Sequence, residues 1–165
     1  MTQERTSFTE AAFDSIVWHD DHIHGLAIRD GGVLRFDLDH IVEWFCGADR
    51  TCRFRVAPAT LEFRGVTGLH IEVDWEDPKY RTAVHPISVG SLARTPHPGP
   101  PAGRGGPCWR WRFGVNWPSG SITFGASGFD LRLRGPPVLS ESQCLSPTER
   151  LGPPGPFMGR KRPAT

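Results

Sequence analysis

Long apolar runs are missing from this chain. Nothing in its 165 residues approaches the roughly 18 consecutive apolar residues of a membrane-spanning helix. No apolar core follows the polar start Met1-Thr2-Gln3-Glu4-Arg5, so no secretory leader is expected. These absences predict a cytoplasmic protein with no membrane partner. An excess of one charge is missing too. Lys and Arg number 19 and Asp and Glu 18, a net charge of +1, which argues against bulk attraction to nucleic acid. Cysteines are few. Cys46, Cys52, Cys108 and Cys144 form no C-x-x-C pair, and their spacings match no zinc knuckle. In the cytoplasm they are expected as reduced thiols, with a Cys46–Cys52 disulfide as the disfavoured alternative. Also absent are G-x-S-x-G, a P-loop, G-x-G-x-x-G and H-E-x-x-H, the motifs that would name a reaction.

What is present is alternation. Residues 34–39, 69–75, 109–113 and 129–134 switch between apolar and polar side chains almost without a break. Side chains on a strand point to opposite faces with a period of two, so each stretch predicts a strand with one buried and one charged face. With eight to ten such short strands, hairpin-length turns and no long amphipathic helix, the expectation is an all-β single domain. Its architecture should be an antiparallel β sandwich or a partly closed barrel.

Along the chain, residues 1–12 read as a flexible lead-in and 13–145 as the β domain. Ser15–His19 reads as a strand, and so does His22–Ile28. Asp30-Gly31-Gly32 reads as a hairpin turn, since glycine reaches positive φ freely. Residues 39–45 suit either a strand or a short helix, and the unbroken phase favours strand. That phase would place His40, Val42 and Trp44 on the buried side with Leu38. Pro58 should interrupt the strand that begins at Cys52. In 95–107, nine of thirteen residues are proline or glycine, which predicts a mobile loop. Residues 146–165 carry Arg150, Arg160, Lys161 and Arg162 against Glu149, a net of +3. They read as a disordered basic tail, and subtracting that +3 from the total of +1 leaves −2 for the body.

On the charged faces, acidic and basic strands both occur, so cross-strand pairing is expected to hold the solvent side together. Most tryptophans fall at buried phases, and Trp117, in a turn, should be exposed. Arg110 and Arg112 alternate with Trp109 and Trp111 and so face away from them, which argues against a stacking surface for nucleic acid. Arg110, Arg112 and Trp117 are the candidate binding residues. The densest chemical cluster is His19-Asp20-Asp21-His22-Ile23-His24. His22 and His24 share a strand face at a chelating spacing, so His19, His22 and His24 are candidate ligands for a divalent metal such as zinc, able to activate water. Asp37, Asp39, His40 and His70 are candidate neighbours in space.

Several segments resemble a family of small bacterial proteins of uncharacterised function. They are 13–25 (FDSIVWHDDHIHG), 34–44 (LRFDLDHIVEW), 56–63 (VAPATLEF) and 122–129 (ITFGASGF). The resemblance covers about residues 13–145 and implies no activity and no catalytic residues. The residues themselves favour a non-catalytic cytosolic binding protein without a cofactor, a partner-binding or immunity-like module whose partner is another protein. The alternatives are a metal-dependent hydrolase using His19, His22 and His24, and a small-ligand carrier with a pocket inside the barrel.

Overall fold

A computed structural model of the chain describes residues 6–75, 86–97 and 108–150. Ten strands follow one another: β1 (Ser7–Thr9), β2 (His22–Arg29), β3 (Val33–Cys46), β4 (Cys52–Arg64), β5 (Thr67–Asp74), β6 (Ile87–Pro96), β7 (Trp109–Trp117), β8 (Ser119–Ala126), β9 (Gly128–Leu133) and β10 (Val138–Ser140). They form one antiparallel sheet in the order β1-β9-β4-β3-β2-β6-β7-β8-β5, with β10 also on β4. The sheet is not closed, and the all-β single domain read from the alternation is what folds.

One face of the sheet rolls over on itself. The even residues Leu34, Phe36 and Leu38 of β3 and the odd residues Ala59, Leu61 and Phe63 of β4 are buried on that face. Opposite them stand Trp111 and Phe113 of β7 and Ile122 and Phe124 of β8. β4 and β7 are far apart in the sheet order, yet the Phe63 ring lies 5.0 Å from Trp111 and 4.7 Å from Phe124. Phe36 meets Phe113 at 4.8 Å. The buried Trp111 indole donates to the Ala126 carbonyl at 3.1 Å, so its polar edge is satisfied. The two halves join through a narrow stretch. Among the described residues, β2 and β6 pair at His22–Ser88 and Ile23–Ile87, helped by bonds between Val89 and the backbone of Asp20 and Asp21.

A second, smaller core sits on the outer face of β3 and β4. Ile41, Phe54, Val56 and Leu145 are buried there, with Trp44, Cys52 and Val138 against them. Residues 39–45 are strand, but a bulge between Ile41 and Glu43 shifts the register. His40 stays on the inner side, near Trp18, while Trp44 moves to the outer face opposite Phe54.

Several expectations are corrected. Ser15–His19 is not a strand: a 3-10 helix covers Glu10–Ser15 and an irregular stretch follows. Phe13 and Trp18 pack on the core from this short connection, at 5.4 Å from Trp111 and Phe129 respectively. Ser7–Thr9, expected in the lead-in, is a strand paired with β9. Pro58 does not end β4. Its carbonyl accepts from Arg134 N–H, so its nitrogen faces the gap between β9 and β10 and the ladder to β3 loses nothing. β5 shows no clean buried face, because it lies at the sheet edge, and Trp75 is 39% exposed. Gly31 and Gly32 have φ of 79° and 68°, as the β2–β3 turn requires. The Pro/Gly loop lies largely outside the described residues, as does the tail from residue 151.

Reduced thiols were expected throughout, yet Cys46 and Cys52 form a disulfide. They are register partners at the turn end of the β3–β4 hairpin, flanking residues 47–51, and strand pairing brings them together. Cys108 and Cys144 are free. Among the described residues, no helix is long and apolar enough to cross a membrane.

Candidate functional site

Two places on the outer surface carry chemistry. The first grows from β3. Asp37 and Asp39 point to the outer face, opposite the core residues Phe36 and Leu38. His22 is the register partner of Asp39, and a bulge between Ile23 and Gly25 leaves His24 as the extra residue of β2. The bulge turns His24 toward Asp39, and its Nε2 lies 2.9 Å from Asp39 Oδ2. After β10 the chain crosses back over this face. Leu145 N–H donates to the same Oδ2 at 3.0 Å, and Arg150 bonds to Asp39 Oδ1 and, at 2.7 Å, to Asp37. Arg134 also pairs with Asp37. Asp39 is fully buried beneath this segment.

Two carboxylates and two guanidiniums thus neutralise one another. Such a buried network is stable only because every carboxylate oxygen of Asp39 has a donor. Arg150, expected in a disordered tail, is instead an anchor of the domain. Among the described residues, the metal-ligating atoms of His24, Asp39 and Cys144 come within 4.8 Å of one another. The Cys144 thiol is pushed up to about 11, first by burial and then by Asp39, against the pull of Arg150. It remains a thiol at neutral pH and is a poor nucleophile.

The histidine cluster divides. His19 is half-exposed, 3.2 Å from the Asp20 carboxylate and packed 4.7 Å from Trp44 with the two rings tilted, outside the group around Asp39. Burial pushes His22 below its ordinary value. A further buried pair lies on the inner side. His40 Nδ1 is 2.8 Å from Asp21 Oδ2, while Asp21 Oδ1 accepts Ile41 N–H at 2.9 Å. Burial holds the Asp21 carboxyl above its usual range, and His40 opposes that shift. Asp39 is among the candidate neighbours of the histidines, whereas Cys144, Arg134 and Arg150 carry no sequence signal that places them here. No local signal connects these, since the contacts to Asp39 span 106 and 111 residues.

The second place is the outer face of β6, β7, β8 and β5. Arg110 and Arg112 stand exposed on β7, with Trp111 and Phe113 buried behind them as the alternation requires. Arg112 lies in a row with Ala93, Thr123 and His70, and Arg110 with Thr95, Gly125 and Thr67. The next row is Ser91, Gly114, Ser121 and Glu72. The two arginines therefore rise from a floor of small side chains, with no ion pair to either of them among the described residues. The nearby carboxylate, Glu72, sits 3.8 Å from His70. Trp117 is 46% exposed, as expected; it ends β7 beyond a bulge at Asn116, which breaks the alternation that places Arg110 and Arg112.

The other half of the sheet differs. On β3, β4 and β9, Arg35 pairs with its register partner Glu62, Arg55 with its register partner Glu43 at 3.3 Å, and Arg64 with Asp130 at 2.8 Å. Comparison with known protein families, with characterised proteins and with solved structures finds no match.

Proposed function

We propose that the protein is a non-catalytic binding module that engages an acidic protein surface through Arg110 and Arg112. One observation carries this reading. On the β3–β4–β9 face Arg35, Arg55 and Arg64 each pair with a carboxylate and Arg132 stands apart, whereas the β7 face holds two adjacent exposed arginines over small residues, with no carboxylate paired to either among the described residues. A flat cationic patch on a rigid sheet suits a partner carrying clustered Asp and Glu, because guanidinium binds carboxylate in a two-pronged fork. The resemblance to small bacterial proteins and an immunity-like role are compatible with such a module.

The competing readings have less support. A carrier would keep its ligand between the two halves; the centre of that space is filled by Phe36, Phe63, Trp111, Phe113 and Phe124, which leaves, among the described residues, only a small apolar cleft at its edge between Leu26, Ile71, Val73 and Ile87. A hydrolase built on His19, His22 and His24 would need His19 beside the others. The cytoplasmic setting sits poorly with the Cys46–Cys52 disulfide, and an oxidising compartment fits it better.

The test titrates a fluorescent oligo-glutamate peptide, and separately a single-stranded oligonucleotide of equal charge, into the full chain. The peptide is expected to bind at low salt, to weaken as salt rises, and to lose binding in the Arg110→Glu/Arg112→Glu variant, which keeps its thermal midpoint. No binding, equal binding by the variant, or preference for the oligonucleotide overturns the reading.

A further inference from the structure

We infer that His24, Asp39 and Cys144 form a binding site for a divalent transition cation of the zinc type. The three residues come from β2, β3 and the segment after β10, so the fold alone brings them together. Their donor set is one imidazole nitrogen, one carboxylate oxygen and one thiol sulfur, all within 4.8 Å of one another. Nitrogen and sulfur donors select zinc-like ions over magnesium or calcium, which prefer oxygen.

The spacing is close to what a tetrahedral ion needs. Bonds of about 2.0–2.1 Å to nitrogen and oxygen set those two atoms roughly 3.3 Å apart, and a bond of about 2.3 Å to sulfur sets it roughly 3.6 Å from each. His24 Nε2 and Asp39 Oδ2 stand 2.9 Å apart, so they need to separate only slightly. Cys144 lies in an irregular, half-buried stretch, where a rotation of its side chain moves Sγ by the remaining distance. Leu145 N–H fixes the same Asp39 oxygen from behind, as outer partners orient metal ligands elsewhere.

Charge also balances. Asp37 and Asp39 are offset by Arg134 and Arg150. On binding, the ring proton shared with Asp39 moves to the other imidazole nitrogen and the thiol proton leaves to solvent. The ion and the thiolate together then add a single positive charge. That surplus favours an anion or hydroxide in the fourth position, which the three residues leave open. Arg150 stays on the other Asp39 oxygen and does not block the first.

The test uses the full chain in its oxidised form, treated with chelator and titrated with Co²⁺. One equivalent is expected to bind with a thiolate-to-cobalt charge-transfer band, and Zn²⁺ should displace it. Cys144→Ser should abolish the band, and His24→Gln should weaken binding at least tenfold. His19→Gln and Cys108→Ser should change neither. A wild-type protein without the band, or a band that survives Cys144→Ser, overturns the assignment. Should a variant fail to fold, the wild-type thermal midpoint decides. It rises with Zn²⁺ if the site exists, and an unchanged midpoint rejects it.

Discussion

Replacing Asp39 with alanine removes the point at which three separate segments meet. Its carboxylate takes Leu145 N–H at 3.0 Å, His24 Nε2 at 2.9 Å and Arg150, and it is fully buried. In the variant, Leu145 N–H stays under the segment without an acceptor, at a cost of about 1–3 kcal/mol. Stranding one member of a buried ion pair costs about 3–5 kcal/mol, but Arg150 keeps Asp37, so only part of that applies. The expected loss is therefore about 3–5 kcal/mol, a large share of the roughly 5–15 kcal/mol that stabilises a typical domain. A side-chain amide at this position retains one acceptor oxygen, so Asp39→Asn should lose about half as much. Urea unfolding measures the global change, and amide exchange reports the anchor locally. Leu145 N–H should exchange much faster in the alanine variant, while β7 amides should follow only the global change. A loss below about 1 kcal/mol, or unchanged exchange at Leu145, would refute the view that Asp39 fastens this segment.

Other outcomes follow from the same structure. Phe63→Ala should cost about 3–5 kcal/mol in chemical denaturation, because the ring touches residues from both halves of the roll. Burial raises Asp21 above its ordinary 3.8, so the fold binds that proton more tightly than the unfolded chain does. The stability it contributes is full below 3.8 and is lost as pH rises through the folded-state value. Asp21→Asn stays neutral, so the stability of the variant relative to wild type should rise with pH across that window. A relative stability that falls over the same range in pH-dependent urea melts would count against this. Replacing both Cys46 and Cys52 with serine should cost about 2 kcal/mol, the chain-entropy figure for a loop closed over a separation of 6 residues, read as a lower thermal midpoint.

Much of the fold was legible because strand periodicity is local. The alternation at 109–113 told which side Trp111 and Arg112 occupy, and β7 bears that out. The same local rule failed where neighbours decide. Residues 69–75 alternate as well as any strand, yet β5 lies at the sheet edge and buries little. Ser15–Trp18 reads as strand by composition, but the core takes Phe13 and Trp18 from a 3-10 helix and the irregular stretch after it. Pro58 looked like a break because its sequence context does not reveal that its nitrogen faces a gap between two strands. A two-residue spacing put His22 and His24 on one face. It could not show that His19 turns to Trp44, or that a bulge aims His24 at Asp39.

The sequence by itself determined the all-β class, the hairpin at Gly31-Gly32 and the exposure of Arg110 and Arg112. Each depends on side-chain period or on the backbone freedom of one residue, and both are written locally. Only the tertiary structure decided that Cys46 faces Cys52, that Arg150 belongs to the domain, and that Cys144 stands beside His24 and Asp39. Those contacts depend on strand register and on where the chain returns after β10. Register and return path are set by the packing of the whole sheet, which no short stretch of residues encodes.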